Sequence, residues 1–504
     1  MARRTAYTMA LPDLRPAQPT LYQRRPAELE FDFAVATLHH GHEYPCHFDQ
    51  PQEPAITPTG PTLHELAADL DAGRTSARAL VEECLARISD PAGEGARAFV
   101  RVGEQSAIEI ADAMDHLRRA GAAPGPFAGI PLAIKDLFDV AGEVTTAGSK
   151  VLADAPRAKS DAACVARLRR AGFVFIGRSN MTEFAYSGLG LNPHYGTPLS
   201  VFDRAQGRVP GGSTSGGAVA VADGMAHAAL GTDTGGSCRI PAAFNNLVGW
   251  KPTARRVGRE GLLPLSTSLD SIGSMARSVT CCAILDGIIA DQPTPSLEPS
   301  DIAGRRILVP TTRVLDDLDA HVGRAFEAAL SRLAGAGVRL ERAPFAELAE
   351  LPELAANGGL LAIEAIAWHR ALLAAKSDLY DPRVATRLRG GEKFGAADYI
   401  DLLNRRAGLI ARTTARLRQY DAMVMPTVAV VPPRISDLAS DVAYSATNLK
   451  VLRNTTLINL MDGCAVSLPI SEPGAAPVGL MLASCGGADS HLLALAAAAE
   501  SVLA

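Results

Sequence analysis

The stretch VPGGSTSGGAVAVADGMAHAALGTDTGGSCRIPAAFNNLVGWKPT, residues 209–253, is the part of the chain around which the rest is organised. It contains two clusters of small residues, GGSTSGG at 211–217 and GTDTGGS at 231–237, joined by a short apolar segment. Because that segment is too short to form a domain of its own, both clusters must lie close together on one support. Each cluster holds a serine in a glycine-rich turn, which is a plausible setting for a nucleophile.

Apolar runs and helical patterns alternate on both sides of this stretch. Short apolar runs indicate buried strands, and amphipathic repeats at helical spacing indicate the helices between them. Such alternation is typical of an α/β fold with a mostly parallel sheet. The predicted strands are 129–134, 173–177, 226–230, 306–310, 338–342, 422–426 and 478–482, and the predicted helices include 106–120, 161–171, 215–224, 240–247, 279–289, 320–334, 360–375, 399–420 and 489–503.

The overall composition is that of a globular protein. The chain has 504 residues, of which 47% are hydrophobic and 20% charged, and its formal net charge of −5 gives no support for a nucleic-acid partner. We find no uninterrupted apolar stretch of about 18 residues, so no membrane-spanning helix and no membrane partner are expected. The N-terminus lacks the apolar core of a secretory signal, and the eight cysteines form no C-x-x-C pair. Together these features favour a cytoplasmic protein.

Residues 1–60 differ from the rest of the chain because they are rich in proline and irregular in pattern. We therefore divide the chain into an N-terminal extension without an assigned role, 1–60, and one main domain, 61–504. The segment HHGHEYPCH at 39–47 offers metal-binding side chains, but its spacing matches no zinc template and no later pair completes one. We favour a polar extension over a metal site, and we expect no metal and no organic cofactor.

Lys135 is the candidate base for a serine nucleophile. A serine hydroxyl needs a base within hydrogen-bond reach, and His227, in an alanine-rich segment, is better interpreted as a core residue. Lys135 ends the apolar run of GIPLAIKD at 129–136. Burial there would lower its pKa, and a pKa near neutrality requires a shift of about 3 units, or roughly 4 kcal/mol. The local sequence is also compatible with an exposed or salt-bridged lysine.

Ser237 is the stronger candidate for the nucleophile. It follows two glycines and precedes a predicted helix, so the N–H groups of its turn would point at a bound oxygen, as in an oxyanion hole. Ser213, 24 positions earlier, could relay a proton between Lys135 and Ser237. Plain tight turns or an anion-binding loop remain open at this point, whereas the Walker A and dinucleotide-binding patterns are not matched.

These segments resemble the signature of the amidase signature family. The similarity lies in GGSTSGG, in GTDTGGSCRIP and in GIPLAIKD, at the spacing that the family shows. It extends to RSNMTEFAYSG at 178–188, LPLSTSLDSIG at 263–273 and NLMDGCAVSLP at 459–469, and covers the chain from about residue 62 to its end. The resemblance implies an α/β fold of the amidase-signature type, with a central mixed, mostly parallel twisted sheet flanked by helices.

The resemblance also implies roles for individual residues. In this family a lysine, a serine that follows a cis peptide bond and a nucleophilic serine form the catalytic triad, and these positions fall on Lys135, Ser213 and Ser237. The oxyanion hole is implied to consist of the backbone N–H groups of four consecutive residues, namely Thr234, Gly235, Gly236 and Ser237.

Other residues near the signature are given supporting roles. Asp233 and Arg239 flank the turn, and we expect them to hold it through charged hydrogen bonds. Met181, Phe184 and Tyr186 are candidates for an apolar acyl pocket, although core packing explains them equally well. Trp368 and His369 are weaker candidates, for which packing is the favoured interpretation.

The sequence therefore predicts an amidase that forms an acyl-enzyme on Ser237 and acts on a small-molecule amide. Esters and carbamates remain open as substrates. A second hypothesis is the glutaminase component of a tRNA-dependent amidotransferase, which is similar in these motifs and needs partner subunits. A non-catalytic binding or scaffold relative is disfavoured because the three triad positions are all intact. The sequence leaves a homodimer open.

Overall fold

An eleven-stranded sheet runs through the computed structural model, which describes residues 60–295, 297 and 301–504. The order of its strands is β1-β3-β2-β4-β6-β5-β10-β11-β9-β7-β8. The strands are β1 Phe99–Val102, β2 Pro131–Lys135, β3 Val174–Ser179, β4 Ala228–Asp233, β5 Val248–Lys251, β6 Ser271–Ala276, β7 Arg306–Pro310, β8 Arg339–Ala343, β9 Ala422–Pro426, β10 Cys464–Pro469 and β11 Gly479–Ser484.

The sheet is mixed, which confirms the predicted α/β class. Its parallel pairs lie in two blocks, β3-β2-β4 and β9-β7-β8. The other six pairings in the described sheet are antiparallel, so the parallel share is smaller than the sequence predicted. The reason is that β1, β5, β6 and β10 were not predicted as strands, and five of the six antiparallel pairings involve one of them.

Helices cover the sheet in the described part of the chain. Most of them follow the predicted positions closely, whereas α3, α10, α12 and α14 were not predicted. The helices are α1 Leu63–Asp71, α2 Ala77–Ser89, α3 Gly95–Ala98, α4 Glu104–Arg119, α5 Ala163–Arg170, α6 Ser215–Ala222, α7 Arg239–Phe244, α8 Val279–Ala290, α9 Ala320–Gly335, α10 Leu351–Leu354, α11 Gly359–Lys376, α12 Pro382–Gly390, α13 Ala396–Leu417, α14 Asp441–Leu460 and α15 Asp489–Leu503.

The two glycine-rich clusters meet at one edge of the parallel block. β2 and β4 are neighbours, with Ile134 paired to Leu230, so both strands end on the same side. Every residue of the two strands is buried, which explains their short, almost wholly apolar sequences. The chain after β2 and the turn after β4 are thereby brought together, as is usual for sites at the carboxyl ends of parallel strands.

One helical segment of the described chain, Ala356–Leu379, is long and apolar enough to span a membrane by length and composition alone. Its mean hydropathy reaches 1.2 over 18 residues, a value that core helices of soluble proteins also reach. The segment contains α11, whose buried residues include Ala362, Ile366 and His369. One face of α11 therefore packs against the rest of the fold.

Two sequence predictions concern residues outside the described ranges. The extension 1–60 falls almost entirely there, and so does the histidine-rich segment at 39–47. The division into 1–60 and 61–504 therefore stays a prediction. Among the described residues, no group of three or more histidine, cysteine, aspartate or glutamate side chains is placed to hold a metal ion.

Candidate active site

Lys135, the last residue of β2, is fully buried beside the first glycine-rich cluster. Its Nζ donates hydrogen bonds to Oγ of Ser213 at 2.8 Å and to Oγ1 of Thr232 at 2.7 Å. Thr232 lies in β4, two residues before the turn that carries Ser237. The lysine therefore joins the two clusters, and Thr232 is a partner that the sequence analysis did not anticipate.

The surroundings of Lys135 lower its pKa towards neutrality. Burial lowers the pKa of Lys135 to about 8, because removal from water disfavours the charged ammonium form. The nearby Cys238, Asp233 and Asp270 act in the opposite direction and limit the fall of that pKa. A pKa near 8 leaves a useful fraction of the amine neutral at physiological pH, as a general base requires.

Lys251, at the end of β5, is buried as completely as Lys135 but has different partners. Its Nζ donates to the carbonyl oxygens of Pro252 at 2.9 Å and Gly463 at 2.6 Å. Burial lowers the pKa of Lys251 to about 8 as well. Burial alone thus does not distinguish the two lysines, and the contact with the Ser213 hydroxyl does.

Ser213 is held rigidly between two segments of the site. The Gly212–Ser213 peptide bond is cis, as the family resemblance implied. The carbonyl oxygen of Ser213 accepts a hydrogen bond from the N–H of Thr182 at 3.1 Å. The next residue, Thr214, donates its N–H to the carbonyl oxygen of Ser237 at 3.3 Å, which ties the two serine-bearing clusters together.

The turn 234–237 presents unpaired N–H groups. In the described part of the chain, the N–H groups of Gly235, Gly236 and Ser237 donate to no protein acceptor. Ser237 is buried, with 4% of its surface exposed, and its Oγ makes no hydrogen bond to any described residue. Unpaired donors around a serine hydroxyl match the requirements of an oxyanion site, and hydrogen bonds between catalytic groups often form only when substrate is bound.

Two threonines of helix α14 hold this turn through hydrogen bonds to its backbone. The carbonyl oxygen of Gly235 accepts hydrogen bonds from Oγ1 of Thr455 at 2.6 Å and Oγ1 of Thr456 at 3.2 Å. Gly236 has a φ of +136°, and a Cβ at this position would lie 2.3 Å from Oγ1 of Thr455. The turn therefore requires glycine at Gly236 for both conformation and space.

Asp233 and Arg239 form a fully buried ion pair across the turn. Nε and Nη2 of Arg239 donate to the two carboxylate oxygens of Asp233 at 3.0 and 2.7 Å. Nδ2 of Asn459 donates to the Asp233 carbonyl oxygen at 2.9 Å, and Oδ1 of Asn459 accepts from Nη2 of Arg239 at 2.8 Å. Burial alone would raise the pKa of Asp233, but the Arg239 guanidinium holds that pKa at about 2. The pair is therefore charged and fixes both flanks of the turn.

The three candidates for an acyl pocket lie together in a buried apolar cluster. Met181, Phe184 and Tyr186 are at most 9% exposed and pack with residues of α11 and α12. The ring of Phe184 contacts His369 at 4.4 Å and Trp368 at 6.1 Å between centroids. Packing accounts for the four buried side chains, whereas Trp368 is 36% exposed, and a role of these residues in substrate binding stays a prediction.

The fold, together with the buried contact between Lys135 and Ser213 beside the turn 234–237, defines the class of protein: an α/β enzyme built around a lysine–serine pair. The profile of the Amidase family matches residues 79–493, and the chain belongs to this family. This confirms the resemblance that the sequence motifs indicated. The chain is an amide-hydrolysing enzyme.

Relatives of known identity resemble the chain over most of its length. It is 35% identical over 450 residues to the 2-amino-5-chloromuconic acid deaminase of Comamonas testosteroni, which covers 88% of this chain and 96% of that protein. It is 34% identical over 471 residues to one component of the glutamyl-tRNA(Gln) amidotransferase of Symbiobacterium thermophilum, with 86% and 94% covered. A crystal structure of an amidase matches with a TM-score of 0.80 at 32% identity, and covers 88% of this chain and 100% of its own.

Proposed function

We propose that this enzyme hydrolyses carboxylic amide C–N bonds through an acyl-enzyme on Ser237. The observation that carries the proposal is the 2.8 Å contact between the buried amine of Lys135 and the hydroxyl of Ser213. A buried amine with a lowered pKa can take a proton that neither serine would release to water at neutral pH.

The first half of the reaction forms the acyl-enzyme. Neutral Lys135 takes the Ser213 proton as Ser213 takes the Ser237 proton, and Oγ of Ser237 bonds to the amide carbon. The N–H groups of the turn 234–237 hold the resulting oxyanion. When the intermediate collapses, its C–N bond breaks, and the proton held by Lys135 passes through Ser213 to the leaving nitrogen, which departs as ammonia or an amine.

The second half releases the acid. Water attacks the acyl carbon and gives its proton through Ser213 to Lys135. The bond to Ser237 Oγ breaks, the proton returns to that oxygen, and the carboxylic acid leaves. The cycle consumes one water and needs no redox partner, so no cofactor is proposed. Esters and carbamates are compatible with the same sequence of steps because their carbonyl carbons accept the same nucleophile.

The glutaminase component of an amidotransferase is the second candidate, and the 34% identity to one such component favours keeping it. That function would release ammonia from glutamine and depend on partner subunits. Hydrolysis by the isolated chain favours the first proposal instead, since a stand-alone amidase needs no activation by a partner.

The test measures acid and amine release from a panel of aliphatic and aryl amides, esters, carbamates and glutamine. The wild-type chain is compared with the Ser237→Ala variant. Activity that disappears in the variant supports the acyl-enzyme, and the preferred panel member gives the substrate class. Activity that is equal in both proteins contradicts the proposal, and slow glutamine hydrolysis alone favours the amidotransferase component.

We also propose a cytoplasmic location. The seven described cysteines are all free thiols, which supports a reducing compartment. Fractionation of cells that express the tagged chain tests this location, with recovery in the periplasmic or secreted fraction as the contrary result.

A further inference from the structure

Thr234, the first residue of the turn, is anchored through its side chain. Its Oγ1 donates a hydrogen bond of 2.6 Å to Oδ1 of Asp270. Asp270 is only 2% exposed, and it lies one residue before β6, which pairs with β4. The carboxylate therefore holds the turn at Thr234, and Thr455 holds it at the next residue, Gly235.

The same carboxylate organises the loop in which it lies. Its Oδ2 accepts hydrogen bonds from the N–H groups of Leu265 at 3.0 Å and Ser266 at 3.1 Å. Burial raises the pKa of Asp270 to about 6, while the bonds from Thr234 and the two N–H groups oppose that rise. All three donors favour the ionised form, because a protonated carboxyl would lose acceptor capacity.

A second carboxylate holds this loop from helix α11. Glu364 accepts hydrogen bonds from the N–H of Ser268 at 2.9 Å, from the hydroxyls of Ser266 and Ser268, and from the Tyr399 hydroxyl at 3.0 Å. The result is a continuous series of contacts from α11 through the loop to the turn. A displacement of the loop would therefore move Thr234.

Asp270 also interacts electrostatically with Lys135. Its negative charge raises the pKa of Lys135 and so opposes the effect of burial. The charge of Arg259 lowers the pKa of Asp270, and Glu364 shares Ser266 with Asp270 as a hydrogen-bond donor. Among them, Asp270 alone bonds directly to a residue of the turn 234–237.

We propose that Asp270 is a positioning residue for the hydrolysis, one that fixes the oxyanion-binding turn through the hydrogen bond that it accepts from Thr234. The inference rests on the proposed function. It makes Asp270 more than a structural residue, because it assigns effects on the transition state and on the pH profile, which loop stability alone would not produce.

The first pair of variants tests the positioning role. Thr234→Val keeps the shape of the side chain and removes the hydrogen bond, so we expect kcat to fall roughly 10- to 100-fold with KM within about threefold of wild type. Thr234→Ser restores the hydroxyl and should recover kcat to within about threefold. A boronic acid, which forms a tetrahedral anion with a serine, should lose affinity for Thr234→Val in parallel with kcat.

The Asp270→Asn variant tests the charge. In wild type, log kcat/KM should fall with a slope of about 2 below pH 6, where both groups are protonated, and with a slope of about 1 in Asp270→Asn.

These experiments distinguish a failure of the inference about Asp270 from a failure of the proposed acyl-enzyme. Wild-type kcat in Thr234→Val, or an unchanged slope below pH 6 in a folded Asp270→Asn, overturns this inference, while loss of activity in Ser237→Ala keeps the acyl-enzyme. Full activity of Ser237→Ala overturns both. Thermal unfolding is measured for every variant, and Thr234→Val carries the test if Asp270→Asn does not fold.

Discussion

Lys135 and Ser213 are 78 positions apart in the sequence, yet Nζ of the lysine lies 2.8 Å from Oγ of the serine in a fully buried site. Lys135 ends strand β2, and Ser213 lies in the first glycine-rich cluster, where its carbonyl oxygen accepts a hydrogen bond from Thr182. An amine in this position has no water to stabilise its charge, and its lowered pKa suits it to accept a proton. The following expectations depend on this contact and on the turn beside it.

The pH profile of catalysis should report the ionisation of Lys135. Because the neutral amine is the active form and its pKa is about 8, kcat/KM should rise with pH through 8 and fall about tenfold per unit below it. Lys135→Met should lose about 10²- to 10⁴-fold in kcat/KM at pH 8. Initial rates between pH 6 and 9.5 provide the measurement.

Lys251→Met is the matched control for that experiment. Lys251 is equally buried and has the same lowered pKa, but among the described residues its Nζ donates to two carbonyl oxygens and to no serine hydroxyl. We expect this variant to keep the midpoint of the pH profile, even if its free energy of unfolding is lower. A pH profile that moves in Lys251→Met and stays unchanged in a Lys135 variant would show that Lys251, and not Lys135, is the base.

The stability of the protein should also depend on the protonation of Lys135. Between pH 8 and 10.5 the unfolded chain holds this proton and the folded chain does not, so rising pH stabilises the fold. Relative to Lys135→Met, the wild-type free energy of unfolding should increase by up to ~3 kcal/mol over that interval. Urea denaturation of both proteins from pH 7.5 to 10 measures the difference, and parallel curves would mean that the lysine remains charged in the fold.

A side chain at Gly236 should damage the turn more than one at Gly235. At Gly236 the positive φ and the 2.3 Å approach of a Cβ to the Thr455 hydroxyl both oppose alanine. At Gly235 the nearest atom is the Thr456 hydroxyl at 3.1 Å, and small shifts can accommodate it. We expect kcat to fall roughly 100-fold or more in Gly236→Ala and much less in Gly235→Ala. Equal kcat values in the two variants would contradict the described turn.

The ion pair of Asp233 and Arg239 should be essential for stability. Both side chains are fully buried, so Asp233→Asn leaves a guanidinium charge without its counter-ion and should cost about 3–5 kcal/mol. Removing a carboxylate from an exposed pair, as in Asp69→Asn beside Arg74, should change the free energy of unfolding by less than about 1 kcal/mol. Urea denaturation compares the two, and similar small losses would show that the buried pair is not needed.

The sequence analysis recognised the signature segments that the fold brings together, because their constraints are local. A glycine-rich turn and an apolar strand that ends in lysine can both be recognised within a few residues. Helix α14 was missed because its buried face includes Asn448, Asn454, Thr455 and Asn459, which interrupt the apolar periodicity that identifies a helix.

Two of the missed polar residues of α14, Thr455 and Asn459, support the site. Their partners are backbone groups and charges more than 200 positions away, such as Gly235 and Asp233, so no local pattern reveals them. Thr232 and Asp270 escaped notice for the same reason, since a threonine in a strand and an aspartate in a loop are common residues. The motif LPLSTSLDSIG was recognised by resemblance, but only the fold connects its aspartate to Thr234.

The most direct test of the acyl-enzyme is the intact mass of the protein during turnover. Wild-type protein is mixed with its best amide or ester substrate from the panel, quenched in acid within the first turnovers and compared with Ser237→Ala. We expect a fraction of the wild type to gain the mass of the acyl group on a peptide that contains Ser237, and no gain in the variant. An acyl group on another residue, or hydrolysis at the wild-type rate by Ser237→Ala, would contradict the account.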